Sequence, residues 1–244
     1  MTKDERWLLD EKYGGVATPQ FEADKKRLAS GEPVAYVIGS QPFLGLTIAL
    51  DSKPLIPRVE TESWTDDLLT HVGRTTSNME FLDLCAGSGA IGCAALSRLP
   101  DAHVYFGEID PVHEPTIRKN IRDNKLDEGR ATIGIGDLFE PFGDTIFDVI
   151  ASNPPYVPDA RALPASVASH EPAQALFAGE DGLRVIRRIA EALPRHLKQG
   201  GEAWIECDSA HASDACALFT DRGFSAEIRN DQYGDPRVLV VSYP

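Results

Sequence analysis

The chain has 244 residues, 42% apolar and 25% charged, with a formal net charge of −14. That length suits one catalytic domain with a small appendage and a large buried core, and no run approaches the roughly 18 apolar residues of a membrane span. So large an acid excess counts against nucleic acid as a partner, because affinity for the phosphate backbone comes from Lys and Arg.

The first residues, "MTKDERWLLDEKYGG", are neither a signal peptide nor an Arg-rich transit peptide. A cytoplasmic location is expected, or a mitochondrial one if a presequence has been trimmed. Residues 1–33 are polar and helix-prone, with "FEADKKRLA" as a short helix. "GEPVAYVIGSQPFLGLTIALDSKPLIP" mixes β-formers with Gly, Pro and Asp, which predicts a β-hairpin linker over 34–60, its strands between about 34 and 56. "ETESWTDDLLTHV" carries Trp64, Leu68, Leu69 and Val72 at helical spacing and opens the catalytic domain, 61–244.

From Met79 strands and helices alternate. "MEFLDLC", "HVYFGEI", "ATIGIG", "IFDVIAS" and "GEAWIEC" read as buried strands. "GAIGCAALSRL", "DPVHEPTIRKNIRDN", "GLRVIRRIAEALPRHL" and "HASDACALFTDRG" read as helices, the second with Asp110 as N-cap and Pro111 in first position. "SAEIRN" and "RVLVVSY" are joined by a short loop and predict an antiparallel edge. The pattern is α/β, a mostly parallel sheet covered on both faces.

The turn "DLCAGSGAIG", Asp83 to Gly92, joins the first strand of this unit to its first helix, where ligands bind in open α/β sheets. Gly87 and Gly89 let backbone approach a ligand closely. Glu108 ends the next strand, 19 residues after Gly89, where a carboxylate accepts both hydroxyls of a ribose. A dinucleotide would favour G-x-G-x-x-G, but the first position here is Cys85. Asp83 beside the loop would repel a pyrophosphate and suits a cationic amino-acid end, directly or through water. S-adenosyl-L-methionine is therefore favoured over a nicotinamide cofactor. Asp137, in "GDLFEPF", either contacts an adenine or forms a turn; in the first case Leu138 packs on the ring.

"SNPPYV", residues 152–157, follows the strand that returns beside the glycine loop. Asn153 is held extended by the proline after it. Pro154 and Pro155 have fixed φ and no N–H. The side-chain oxygen of Asn153 and the carbonyl of Pro154 can therefore point together as acceptors, with Tyr156 as a flat face beside them. Two acceptors and a flat face suit a planar –NH2 group, an amide or an aromatic amine. Its nitrogen is a poor nucleophile until both hydrogens are held and the nitrogen faces an electrophilic methyl group.

With these motifs in order, residues 31–243 resemble the HemK/PrmC-type release factor glutamine methyltransferases. The matching pieces are "GEPVAYVIG", "LIPRVETE", "DLCAGSGAIG", "NPPYV", "HEPAQALFAGEDGL", "GGEAWIE" and "DQYGDPR". The resemblance implies a class I (Rossmann-like) S-adenosylmethionine methyltransferase fold with a seven-stranded sheet. It implies N5-methylation of the glutamine in the Gly-Gly-Gln motif of a peptide chain release factor. Cys85, Ala86, Gly87, Ser88 and Gly89 would hold the methionine end, Glu108 the ribose and Leu138 the adenine. Asn153, Pro154, Pro155 and Tyr156 would hold the amide, with Asn153 also near the methyl donor. Pro57, Arg58 and Glu60 would lie at the mouth of the site. Glu171 would orient the NPPY loop or pair with a surface Arg. The sequence departs from the family pattern at Cys85, where a glycine is usual, and at Val59, where a second proline is usual. The helical segment before the hairpin is also shorter than the family's substrate-gripping domain.

Four cysteines, Cys85, Cys93, Cys207 and Cys216, form no CxxC pair, and six scattered histidines form no metal-spaced set. Asp231 and Arg237 are expected to brace the edge hairpin. The competing reading is N-methylation of an exocyclic amine in DNA or RNA, because NPPY-type motifs also serve flipped bases. The expected form is a monomer whose partner is a protein substrate, with no membrane contact.

Overall fold

The computed structural model describes residues 1–73 and 78–244. Three helices precede the hairpin: α1 (Lys3–Tyr13), α2 (Pro19–Ala29) and α3 (Val34–Ile38). Thr2 and Glu5 close a capping box on α1, and Thr18 with Pro19 starts α2. Leu8, Phe21 and Val37 form a small core of their own. Asp24 ties this unit together, accepting from Lys12 at 2.7 Å, Tyr13 at 2.7 Å and Arg27 at 3.1 Å.

The hairpin is shorter than its sequence suggests: β1 (Ser40–Phe43) and β2 (Leu46–Ala49). Val34–Ile38 was expected as strand and is helix. The segment is apolar at every position and so lacks the alternation of a half-buried strand. Ala35 and Tyr36 enter the main core while Val37 enters the N-terminal one. Consecutive buried residues pointing to two different cores suit a helical turn. The hairpin docks on the helix that follows the second long strand: Asn120 accepts from Ala49 N at 2.7 Å and Asn124 from Thr47 N at 3.0 Å.

The rest follows the predicted alternation: α4 (Val59–Val72), β3 (Glu80–Leu84), α5 (Ala90–Arg98), β4 (His103–Glu108), α6 (Glu114–Asp123), β5 (Ala131–Ile135), β6 (Phe147–Ser152), α7 (Ala165–Ala168), α8 (Arg184–His196), β7 (Leu197–Glu206), α9 (Ala212–Thr220), β8 (Ser225–Asn230) and β9 (Pro236–Ser242). Asp110 caps a single 3₁₀ turn, Pro111–His113, ahead of α6 rather than α6 itself. The seven-stranded sheet runs β5-β4-β3-β6-β7-β9-β8. Its first five members are parallel, and β9 lies antiparallel between β7 and β8. Trp64, Leu68, Ala94, Ile117 and Ile121 bring α4, α5 and α6 into one core cluster. Ile186, Ile189, Leu193, Ala215 and Phe219 bring α8 and α9 into a second. The chain moves outward through β4 and β5, then returns with β6 beside β3. A crevice opens at the carboxyl ends of those two strands, the switch point of the sheet. No helix of the described residues is long and apolar enough to cross a membrane.

Candidate active site

The turn after β3 departs from ordinary backbone. Cys85 has φ +64°, Gly87 +55° and Gly89 +77°. Gly92, one helical turn on, sits where a Cβ would meet the Phe106 ring at 2.2 Å, so α5 lies directly on β4. Asp83 is fully buried beneath the turn. Its Oδ2 accepts from Gly92 N at 2.8 Å, and its Oδ1 has no partner among the described residues. Burial pushes the Asp83 carboxyl up to about 8, with a further push from Glu108.

Glu108 is set by backbone. Oε2 accepts from Gly87 N at 2.7 Å and Oε1 from Asp110 N at 2.9 Å, which fixes the carboxylate against the glycine turn. After β5, Leu138 also takes a left-handed conformation, φ +52°. Asp137 receives both guanidinium nitrogens of Arg188, at 3.0 and 2.8 Å, so its carboxylate is ion-paired to α8. Cys85, Gly87, Glu108, Asp137, Leu138, Asn153 and Pro155 line one cavity. Asp83, Ala86, Ser88 and Gly89 stand behind that lining: Ala86 N is bonded to Gly107 O and Gly89 N to Ala86 O, and Ser88 is buried. Burial moves the Cys85 thiol up to about 12, so it stays protonated at neutral pH.

The NPPY loop is held from two sides. Ser152 Oγ donates to Leu84 O at 2.7 Å and joins the end of β6 to β3. Beyond it, Val157 N donates to Leu176 O and Ala178 N to Val157 O, both at 2.9 Å, while Asp159 N donates to Gly179 O. Gly182, φ +73°, leaves room for Tyr156 O, which a Cβ there would meet at 2.4 Å. The "HEPAQALFAGEDGL" stretch is thus the clamp on the loop. Its Pro172, Gln174, Ala175 and Phe177 also wall the cavity.

The second hold is a buried acid. Glu206, at the end of β7, is 1% exposed. Oε2 accepts from Thr61 Oγ1 at 2.6 Å and Trp64 Nε1 at 2.7 Å; Oε1 accepts from Tyr156 OH at 2.9 Å. Burial holds its pKa above the usual carboxylate value, against the three donors and Arg237, which lower it. The Tyr156 phenol, buried against this acid, is held well above its ordinary value. Asn153 Nδ2 donates to Thr61 Oγ1 at 3.0 Å. Neither Asn153 Oδ1 nor the Pro154 carbonyl has a protein partner among the described residues.

Pro57, Arg58 and Glu60, expected at the mouth, do not line the cavity, whereas Leu55 just before them does. Among the described residues Glu171 makes no hydrogen bond to the NPPY loop. It is buried, accepts from Ile56 N at 3.0 Å and pairs with Arg58 at 2.6 Å, pinning the segment after the hairpin. Asp231 and Arg237 brace the β8–β9 hairpin at 3.0 Å. Sequence reasoning passed over Thr61, Trp64 and Glu206. The last had a signal, since it ends an apolar strand as Glu108 does.

The methyltransferase small domain family model matches residues 61–171. The chain is 36% identical over 200 residues to the release factor glutamine methyltransferase of Geobacter sulfurreducens, covering 81% of this chain and 68% of that one. It is 34% identical over 227 residues to that of Streptococcus pneumoniae, covering 91% and 79%. Among solved structures, the T. thermophilus 16S rRNA N2 G1207 methyltransferase, in complex with AdoMet and guanosine, is similar in fold, with a TM-score of 0.58 at 16% identity over 84% of this chain and 50% of that one.

Proposed function

The chain belongs to the release factor glutamine methyltransferase family, and from that premise we propose that it methylates the side-chain nitrogen, N5, of the glutamine in the Gly-Gly-Gln motif of a peptide chain release factor. The methyl donor is S-adenosyl-L-methionine, which when bound supplies an electrophilic methyl group. The cavity fits that molecule. Glu108, anchored by Gly87 N and Asp110 N, keeps lone pairs for a pair of vicinal hydroxyls. Leu138 and Ile109 offer apolar flanks for a purine. The unpartnered Oδ1 of Asp83 behind the turn suits a cation or a water bound to one.

What carries the reading is the Asn153 amide. Its nitrogen is spent on Thr61, so its oxygen remains for the cavity. Asn153 Oδ1 and the Pro154 carbonyl then accept the two hydrogens of a carboxamide. This keeps electron density on the amide nitrogen and orients it. Pro155, with no N–H to offer, adds an apolar wall beside the reacting nitrogen. No base would be needed before attack: the new N–C bond would be matched by breaking of the donor's S–CH3 bond, leaving a neutral thioether, and the excess proton would pass to solvent as the product departs. The same reading puts the reaction in the cytoplasm.

The test is transfer of label from S-adenosyl-L-methionine to a release factor carrying Gly-Gly-Gln, beside its Gln→Ala version and bulk RNA and DNA. Label in the intact factor alone is expected, and label in nucleic acid but not the factor overturns the reading. Asn153→Ala should lower transfer by roughly 100-fold or more, the scale of removing one preorganised hydrogen-bonding group from a reacting centre. Cofactor affinity should change little.

A further inference from the structure

We propose that Thr61 and Glu206 are positioning residues that decide which end of the Asn153 amide faces the substrate. The inference rests on the reading of that substrate as a carboxamide. An asparagine side chain has a donor end and an acceptor end of nearly the same shape, so packing alone does not choose between them. Here the choice is made two hydrogen bonds away, at Glu206. Three groups converge on the two oxygens of Glu206, Thr61 and Trp64 on Oε2 and Tyr156 on Oε1. One of them, the Trp64 indole, can only donate.

Oε2, which receives the indole N–H, is thereby an accepting oxygen, so the single hydroxyl hydrogen of Thr61 is committed to it. What Thr61 Oγ1 has left is lone pairs. The end of Asn153 that meets it at 3.0 Å must therefore be the NH2. The oxygen is turned to the cavity. Rotating the amide by half a turn would set two oxygens against each other with no hydrogen between them. The polarity of the relay, Asn153 to Thr61 to Glu206, thus makes the site an acceptor for –NH2 and a poor host for the carboxylate of a glutamate. The three residues come from the loop after β6, from α4 and from the end of β7, which meet only in the folded sheet.

The test uses the full chain with labelled cofactor and a Gly-Gly-Gln release factor. Thr61→Val keeps the shape and removes the hydroxyl; Thr61→Ser restores it. Thr61→Val should lower kcat/KM for the factor at least tenfold. The cofactor Kd, measured by calorimetry, should stay within about twofold, and Thr61→Ser should lie within about threefold of the unaltered protein. If Thr61→Val transfers as well as the unaltered protein, the inference fails and the proposed function stands. If transfer and cofactor binding are lost together, or Thr61→Ser is as impaired as Thr61→Val, Thr61 is structural and the inference fails. If the unaltered protein leaves the factor unlabelled, both fall.

Discussion

The two halves of the crevice are built in different ways. On the cofactor side, the turn from Cys85 to Gly89 is shaped by backbone: three positive φ angles, a carboxylate fixed by two N–H groups, and a helix laid directly on β4 through Gly92. These parts lie within 28 residues of chain, Asp83 to Asp110, and Leu138 joins them from beyond β5. On the amide side, the acceptors sit in four consecutive residues, but what aims them comes from far away. Asn153 to Thr61 spans 92 residues, Thr61 to Glu206 spans 145, and Tyr156 to Glu206 spans 50. A backbone cradle suits a ligand of fixed shape met the same way each turnover. An amide nitrogen has to be told apart from an oxygen of the same size, and the polarity of the hydrogen bonds it meets does that.

The largest effect that tests this division is expected at Gly182. A Cβ there meets Tyr156 O at 2.4 Å and Pro158 Cδ at 3.1 Å, on backbone at φ +73°. Gly182→Ala must push the NPPY loop, and displacing reacting groups by about 1 Å costs on the order of 10²-fold. The expected result is a 10- to 100-fold fall in kcat/KM for the release factor with cofactor Kd unchanged. An equal loss of cofactor affinity would mean the halves are one unit.

A smaller effect is expected from Asp83, the fully buried acid beneath the glycine turn. Burial, reinforced by Glu108 and opposed by the Gly92 N–H, moves its pKa from 3.8 to about 8. Across that window the native state holds a proton that the unfolded chain has released. Stability contributed by the group therefore falls as pH rises from near 4 to 8 and is flat above. Asp83→Asn cannot titrate, so the decline of Tm between about pH 5 and pH 8, measured without cofactor, should become shallower. An unchanged slope would assign the pH response to other groups.

The same contrast explains what the sequence made legible. The glycine turn, Glu108 and NPPY are contiguous signals, each readable where it stands, and the strand–helix alternation that carries them is strongly periodic. Pro57, Arg58 and Glu60, placed at the mouth by the resemblance, lie outside the cavity lining. Their neighbourhood is set by Glu171, 113 residues away from Arg58. Glu206 went unassigned for the same reason: a strand-end acid says that something meets it, and only the fold says that Thr61, Trp64 and Tyr156 do. The helix at Val34–Ile38 was read as strand because β-branched residues suggested one, and packing into two cores overrode that local preference.

The smallest expected effect falls on Cys85, where the family pattern has a glycine. Its φ of +64° explains the usual choice, because an L side chain in that region costs about 1–2 kcal/mol. Glycine would relieve that strain. It would also give back roughly 0.5–1 kcal/mol in backbone freedom and lose the packing of a half-buried thiol against the α8-side core. These terms nearly cancel, so Cys85→Gly should shift stability by less than about 1 kcal/mol in denaturant unfolding. Cys85→Val adds a branch at Cβ without relieving the backbone. It should lose about 1–2 kcal/mol and weaken cofactor binding, since Cys85 lines the cavity. If valine is tolerated as well as glycine, the turn yields to its side chains and the cofactor side is not a backbone cradle.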